Sequence, residues 1–423
     1  MALRKALRAA DAGLGRDYGK LWTSSACSTF GDGIYLTALL LMAAGLTRDP
    51  VLLSTVSVAG TLPGLLFALP GGALADRVDR RRIMWVTDAV RFGFVALVAA
   101  AVATDRLTIG LLAAVSFALA TGEILYTTAS QSIVPQIVSR APERLQRANS
   151  RLVSAQILLR DFVGRPLGGA LYGVVAWLPP ALNALSFGLA SALIASVPSR
   201  PTAIATARTG LLADLREGMR WLWRHRLLRT LAFAVCIDNF AFMLWNSVLV
   251  LMLQDRFGLG GFGFGVMTAC LGIGGIVGSL GVSWVSRRAG IAATMMGAMV
   301  LEGLATVVVG LTSERVVAGA MLFAVGAAAI GWNVVTVSLR QSLVPAGLQG
   351  RVNGTYRLVA LAGAPAGAAL GGLIGTWQGL RAPFLWSAAV VLLCALMAAR
   401  VVNRRSVAEA EADVEEDAHL DAT

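Results

Sequence analysis

The stretch Gly72-Ala73-Leu74-Ala75-Asp76-Arg77-Val78-Asp79-Arg80-Arg81-Arg82 lies where an apolar run, Val51 to Leu74, gives way to charge. A run of this length is what a helix needs to cross the hydrocarbon layer, and arginines after it mark the cytoplasmic end of a span. Gly72 permits close helix approach, and Asp76 can accept charge-assisted hydrogen bonds from a helix N-terminus or an arginine. The arginines hold a tight turn at the interface. The elements of this stretch return later in the chain as Gly278, Leu280, Arg287 and Arg288, with Val282 at the position of the aspartate.

Outward from this stretch the whole chain has the same character. Of 423 residues, 57% are apolar and 14% charged, where soluble chains carry about 25% charged residues. A soluble multidomain enzyme is not expected on that balance. The runs lack the alternation of an outer-membrane barrel, and lipid leaves open backbone groups unsatisfied, so the spans are helices. Twelve are expected, the fifth from Leu152 to Ala176. The predicted organisation is a cytoplasmic N-terminus (1–20), a six-helix half (21–198), a central cytoplasmic loop with an amphipathic helix (199–227), a second six-helix half (228–402), and an acidic, disordered cytoplasmic tail (403–423). Leu211, Leu215, Met219 and Leu222 fall on one stripe of the loop helix and Arg216, Arg220 and Arg224 on another, which suits anionic lipid.

Most of the 36 Lys and Arg residues sort to one side when the N-terminus is placed inside, and only Arg48, Arg106, Arg256, Arg315 and Arg381 fall outside. Both termini are therefore expected in the cytoplasm of a multi-pass inner (plasma) membrane protein. The net charge of +12 marks topology and not a nucleic-acid partner. The halves repeat one another: Asp32 answers Asp238, Gln131-Ser132-Ile133-Val134-Pro135 answers Gln341-Ser342-Leu343-Val344-Pro345, and Gly168-Gly169 answers Gly371-Gly372. Six spans return the chain to its starting side, so the duplication is parallel, and a binding cavity is expected between the halves. Cys27, Cys236, Cys270 and Cys394 all sit in apolar runs without ligand spacing, so neither zinc nor disulfides are expected. No cofactor is expected either. No phosphate-binding loop of the G-x-x-x-x-G-K-[ST] type occurs, which excludes ATP-driven transport at the level of motifs, and no nucleophile and base stand at catalytic spacing.

Ionisable groups inside spans face a cavity or a partner. They are Asp32, Asp88, Arg91, Glu123, Arg160, Asp161, Arg165, Asp238 and Glu302. A proton-coupled carrier needs a carboxyl that desolvation brings to proton exchange near neutral pH. Asp32 and Glu123 are the leading candidates, with Asp238 the symmetry mate of Asp32. Gly31 and Gly33 flank Asp32 and are expected to bare its carboxyl to a cavity. The alternative for Glu123 and Asp161 is a plain ion pair with Arg160 or Arg165. Asp88 and Arg91, three apart, are placed to pair with each other or with the loop after the second span. Glu302 is expected to face a neighbour or the headgroups. Tyr35, Trp245 and Asn333 are candidates to line a substrate cavity, though aromatics in spans also serve as packing residues.

The stretch quoted first is similar to the signature of the major facilitator superfamily, G-x-L-x-D-R-x-G-R-R, with Asp79 in place of its second glycine. The variant, continued as Arg82-Ile83-Met84 with Asp88 and Arg91 beyond, resembles the drug and siderophore exporter branch that includes enterobactin exporters and macrolide efflux proteins. Asp214 to Trp223 resembles the central loop of that branch. The resemblance implies a gating motif of Gly72, Asp76, Arg77, Arg80 and Arg81, in which Asp76 with Arg77 and Arg80 locks the cytoplasmic side. Gly164-Arg165-Pro166-Leu167-Gly168-Gly169 is similar to the antiporter motif G-P-x-x-G-G, with Arg165 where the proline stands and Pro166 one place later. A bland reading, a small-residue packing face, remains beside it. The fold implied is the two-half major facilitator bundle, and the function implied is proton-coupled efflux of an amphipathic small molecule such as an antibiotic, siderophore or other natural product. Protons and membrane lipid are the other expected partners, with the carrier a monomer. An importer or facilitator of a small organic solute is the alternative.

Overall fold

The structure, a computed structural model, describes residues 14–138, 142–198, 211–345, 348–403 and 405–406, and of residues 68–77, 142 and 211–215 the backbone alone. In chain order the helices are α1 (Arg16–Leu46), α2 (Pro50–Arg77), α3 (Arg80–Ala103), α4 (Ile109–Ile137), α5 (Pro142–Gln156), a π-helical stretch (Ile157–Gly164), α6 (Arg165–Val174) and α7 (Leu178–Ala195). They continue as α8 (Leu211–Arg224), α9 (Arg226–Asn246), α10 (Leu249–Asp255), α11 (Gly261–Ala289), α12 (Ile291–Leu311), α13 (Arg315–Leu343), α14 (Gln349–Gln378) and α15 (Ala382–Ala399). Among the described residues, 11 helices are long and apolar enough to cross a membrane. The expected fifth span is the segment that this criterion passes over, because α5, the π-helical stretch and α6 divide it. Its break has a local cause. Pro166 has no N–H to give the preceding turn, and just before it the Arg165 N–H reaches back five residues to the Arg160 carbonyl.

The chain forms two compact units, Met1–Arg48 with Thr55–Ala207 and Leu253–Ala269, and Asp49–Ser54 with Arg208–Met252 and Cys270–Thr423. In the first, α7 packs along α1 and α3, α3 along α4, and α6 along α1. The second repeats those pairings in α15 with α9 and α12, α12 with α13, and α14 with α9. The sequence duplication is thus a duplication of packing. Tyr18, Leu21, Met84, Ile133 and Ile194 are buried in one core cluster of the first unit, and Leu228, Leu231, Met295, Trp332 and Leu339 in one of the second.

Glycine sets the closest of these contacts. A Cβ on Gly168 would strike the Ile34 carbonyl of α1, and one on Gly164 would lie 2.9 Å from Gly33 Cα. In the second unit a Cβ on Gly367 would strike the Phe240 carbonyl of α9, and one on Gly371 the Leu244 carbonyl. Both seams are backbone against backbone, which larger residues would force apart. Gly169 of the antiporter-like motif meets the Gly261 carbonyl in the same way, and Pro166 Cα would lie 2.8 Å from a Cβ on Gly265. The glycines beside Asp32 also admit neighbouring groups, and the Asp32 carboxyl itself lies on the wall of a cavity. Gly31 makes room for the Asn183 and Ser186 side chains, and Gly33 for the Arg160 backbone.

Of the gating motif, the side chains of Asp76 and Arg77 and the surroundings of Gly72 lie outside the described residues. Asp79 caps α3 by accepting the Arg81 N–H at 3.0 Å. Arg81 turns to the C-terminal end of α7, where its guanidinium donates to the Ile194 carbonyl at 3.2 Å and to the Ala195 carbonyl. A cation at the C-terminal end of a helix dipole is favourable, so this arginine ties α3 to α7 within its own unit. The helix α8 shows its exposed face through Arg216, Arg220 and Arg224 and buries Leu222. Gly218 seats it against the Arg351 carbonyl, and Glu217 pairs with Arg351 at 2.9 Å. The side chains of Leu211 and Leu215, and residues 1–13 and 407–423 of the expected termini, lie outside the described residues.

Gly168→Val should lower the thermal unfolding midpoint of the purified protein, corresponding to about 1–3 kcal/mol of overpacking. Gly173→Ala, where nothing lies within 4 Å of the added carbon, should leave it unchanged or slightly raised.

Candidate functional site

Asp32, Arg91, Glu123 and Arg160 come from α1, α3, α4 and the π-helical stretch, and they meet in one place. Arg91 is at the centre, 4% exposed. Its Nη2 donates to Glu123 Oε2 at 2.9 Å and to Asp32 Oδ2 at 3.2 Å. Its Nη1 stands 3.8 Å from Asp88 Oδ1, one turn back on the same helix. The guanidinium carbon lies 4.2 Å from the centroid of the Phe187 ring, so α7 supplies a π face where the other helices supply carboxylates. Arg160 Nη1 adds a second positive charge 3.8 Å from Glu123 Oε1. A buried guanidinium is tolerable only if anions and hydrogen-bond acceptors replace the water it has lost, and here three helices combine to do so.

The arginine reaches this position through small residues. A Cβ on Gly122 would lie 2.9 Å from Arg91 Cδ, so the stem of Arg91 lies across α4 where that helix has no side chain. One residue on, Glu123 points toward the guanidinium. The cluster opens on a cavity of about 320 Å³ whose wall includes Asp32, Arg91, Glu123 and Arg160. Ser25, Ser28, Thr29, Tyr126, Thr127, Ser130, Gln131, Asn149 and Gln156 line the rest of its polar surface, with Val134, Leu152 and Val153 as apolar wall. Ser25 Oγ and Tyr126 Oη share a hydrogen bond of 3.1 Å. A wall of this kind, apolar patches interrupted by amides, hydroxyls and paired charges, suits an amphipathic molecule that keeps some polar groups.

The other predicted residues fall elsewhere. Asp161 is paired with Arg165 at 3.0 Å within one turn. Asp238, in the second unit, lies beside the carboxyl of Glu302. Glu302 is 3% exposed, so it faces neither lipid headgroups nor a neighbouring molecule. An acid on an apolar helix with no base near it in sequence must find its partner on another helix, and the partner here is a second acid. Tyr35 is 1% exposed and is absent from the cavity wall. Trp245 is equally buried, its ring centroid 5.0 Å from that of Phe242 and 5.6 Å from that of Phe384. Both are packing residues of their own units. Asn333 is exposed, while Trp332 beside it is buried.

Two repeats of a helical bundle, with an arginine and carboxylates buried beside an internal cavity, define a multi-pass membrane transporter of the major facilitator type. The sequence pattern of the transmembrane secretion effector family matches residues 16–422, and the chain belongs to that family. The chain is similar to the multidrug efflux pump Tap of Mycolicibacterium fortuitum, 30% identical over 383 residues that cover 87% of this chain and 91% of the relative. It is also similar to macrolide efflux protein A of Streptococcus pyogenes, 22% identical over 386 residues, 89% of this chain and 94% of the relative. Among solved structures, the nucleoside transporter NupG superposes with a TM-score of 0.70 at 14% identity, covering 91% of this chain and 98% of its own. A bacterial homologue of the iron transporter ferroportin in its inward-facing state superposes with a TM-score of 0.71 at 17% identity, covering 92% and 99%. The superpositions speak for the fold. The chain is a carrier of small molecules.

Arg91→Leu would leave Asp32, Asp88 and Glu123 without their shared cation, and should destabilise the protein by about 3–5 kcal/mol, read as a fall in the thermal midpoint. Adding Asp32→Asn and Glu123→Gln to Arg91→Leu should recover most of the loss, because the stranded charges go with their cation.

Proposed function

We propose that this protein exports an amphipathic small molecule, an antibiotic, siderophore or other natural product, in exchange for protons entering across the cell inner membrane. The observation that carries the reading is the cavity wall on which Asp32 and Glu123 are held against the buried Arg91. Carboxylates so held exchange counter-ions when the cavity opens to one side or the other, and a proton is the smallest counter-ion available. Direction rests on kinship, since the relatives named above are an efflux pump and an efflux protein. The antiporter-like run Gly164-Arg165-Pro166-Leu167-Gly168-Gly169 agrees with that direction.

In this reading the carrier works as a monomer with both termini in the cytoplasm, and alternate exposure of the cavity to the two sides moves the substrate. Asp76 with Arg77 and Arg80 closes the cytoplasmic side in one state, so that breaking the lock shifts a conformational balance and removes no substrate contact. The arginines on the exposed face of α8 rest on anionic lipid. Asp238 is the third carboxyl open to a coupling role.

The test is accumulation of a panel of dyes, macrolides and siderophores in a host stripped of its own pumps, with and without a protonophore. Wild-type protein should lower accumulation of at least one compound, and both the protonophore and Asp32→Asn should abolish the difference. Glu123→Gln and Asp238→Asn, measured alongside, divide the coupling between the two units. Export that persists through the protonophore and all three variants would overturn proton coupling, and raised accumulation in the wild type would replace export by import.

A further inference from the structure

The cluster around Arg91 has one more acid than it has bases. Asp32, Asp88 and Glu123 face Arg91 and Arg160, while Asp161 and Arg165 form a neutral pair on the next turn of the π-helical stretch and α6. Tyr35 of α1 and Tyr126 of α4 are the other titratable groups beside it, both neutral phenols at physiological pH, and α7, packed along α3, carries no ionisable residue. If every group were ionised, the cluster would hold an uncompensated negative charge inside the bundle, which burial makes costly. One proton removes it.

The geometry names the carboxyl that holds this proton. Asp32 and Glu123 each accept a hydrogen bond from Arg91 and lie on the cavity wall. Asp88 is 0% exposed, and neither of its oxygens has a hydrogen-bond partner. Among the described residues its ion-pair partner is Arg91, whose Nη1 stands at 3.8 Å, beyond hydrogen-bonding distance. A carboxylate without donors is the costliest of the three to keep ionised, whereas a neutral acid in that place leaves only one donor unsatisfied.

We propose that Asp88, which lies off the cavity, holds the exchangeable proton, and that Arg91 is the counter-ion that changes partners when the proton leaves. In the state described here Asp88 is the acid, and Arg91 is engaged by Asp32 and Glu123. When the O–H bond of Asp88 breaks and its proton passes to cavity water, the new carboxylate takes Arg91 by closing the gap to Nη1. Asp32 and Glu123 are then released at the cavity wall. The assignment rests on the proton-coupled reading above and adds the residue on which coupling turns. It also explains why Asp32→Asn should uncouple transport although Asp32 does not hold the proton: with one cavity carboxylate gone, Asp88 keeps Arg91 and no longer needs the proton.

The test is infrared spectroscopy at neutral pH of protein labelled with carboxyl-13C aspartate and reconstituted in lipid, reading the isotope-shifted carbonyl stretch of a protonated aspartic acid. Asp32→Glu with Asp238→Asn serves as background, since it keeps the charge at residue 32 and removes every other membrane aspartate except Asp88 and the paired Asp161. The shifted band should persist in that background and vanish when Asp88→Asn is added. Asn is the isostere of a protonated Asp, so the thermal midpoint should not change. A band absent from the background, a band that survives Asp88→Asn, or a loss of several degrees on Asp88→Asn would each overturn the assignment. The spectrum needs no substrate, so the assignment can fail while proton-driven export stands. Export that ignores the proton gradient would remove the coupling role even if the band were found.

Discussion

A guanidinium buried away from water is the constraint around which the first unit is built. Arg91 cannot shed its charge, so every helix that touches it must supply either an anion, a π face or a gap. Asp32 comes from α1, Glu123 from α4, Phe187 from α7, and the gap from Gly122. The packing of α7 along α1 and α3 brings the first and third of these within reach. A mixed-charge site beside a cavity is thus inseparable from the way the helices are stacked.

Much of the frame was legible in the chain. Apolar runs separated by arginines place the spans, and paired residues such as Asp32 and Asp238 or Gly168 and Gly371 expose the duplication, because both depend on short-range pattern. Local ion pairs were legible for the same reason: Asp161 with Arg165 sits four residues apart on a single turn. The fifth span is the partial case. Its displaced proline signals irregularity, but the π-helical stretch depends on backbone bonds that no spacing rule prints.

What could not be read is what depends on rotation about a helix axis and on which helices are neighbours. Arg91 was placed with Asp88 by its spacing, yet its hydrogen bonds go to α1 and α4. A charge count inside the spans of the first half would have hinted at this, since an arginine so deep needs more than one acid. Glu302 and Asp238 meet although they are far apart in sequence, and nothing local marks either as the partner of the other. Tyr35 and Trp245 show the ambiguity of aromatics in apolar helices, where packing and lining residues have the same composition.

The glycine seams of α1 with α6 and of α9 with α14 join backbone to backbone. Because no side chain bears that load, residues lining the cavity on the same helices can be exchanged without loosening the frame. Such a scaffold separates the machine from its lining: point changes at Ser25, Ser28 or Thr29 of α1 alter the cavity wall, while glycines at the seams admit almost no alternative.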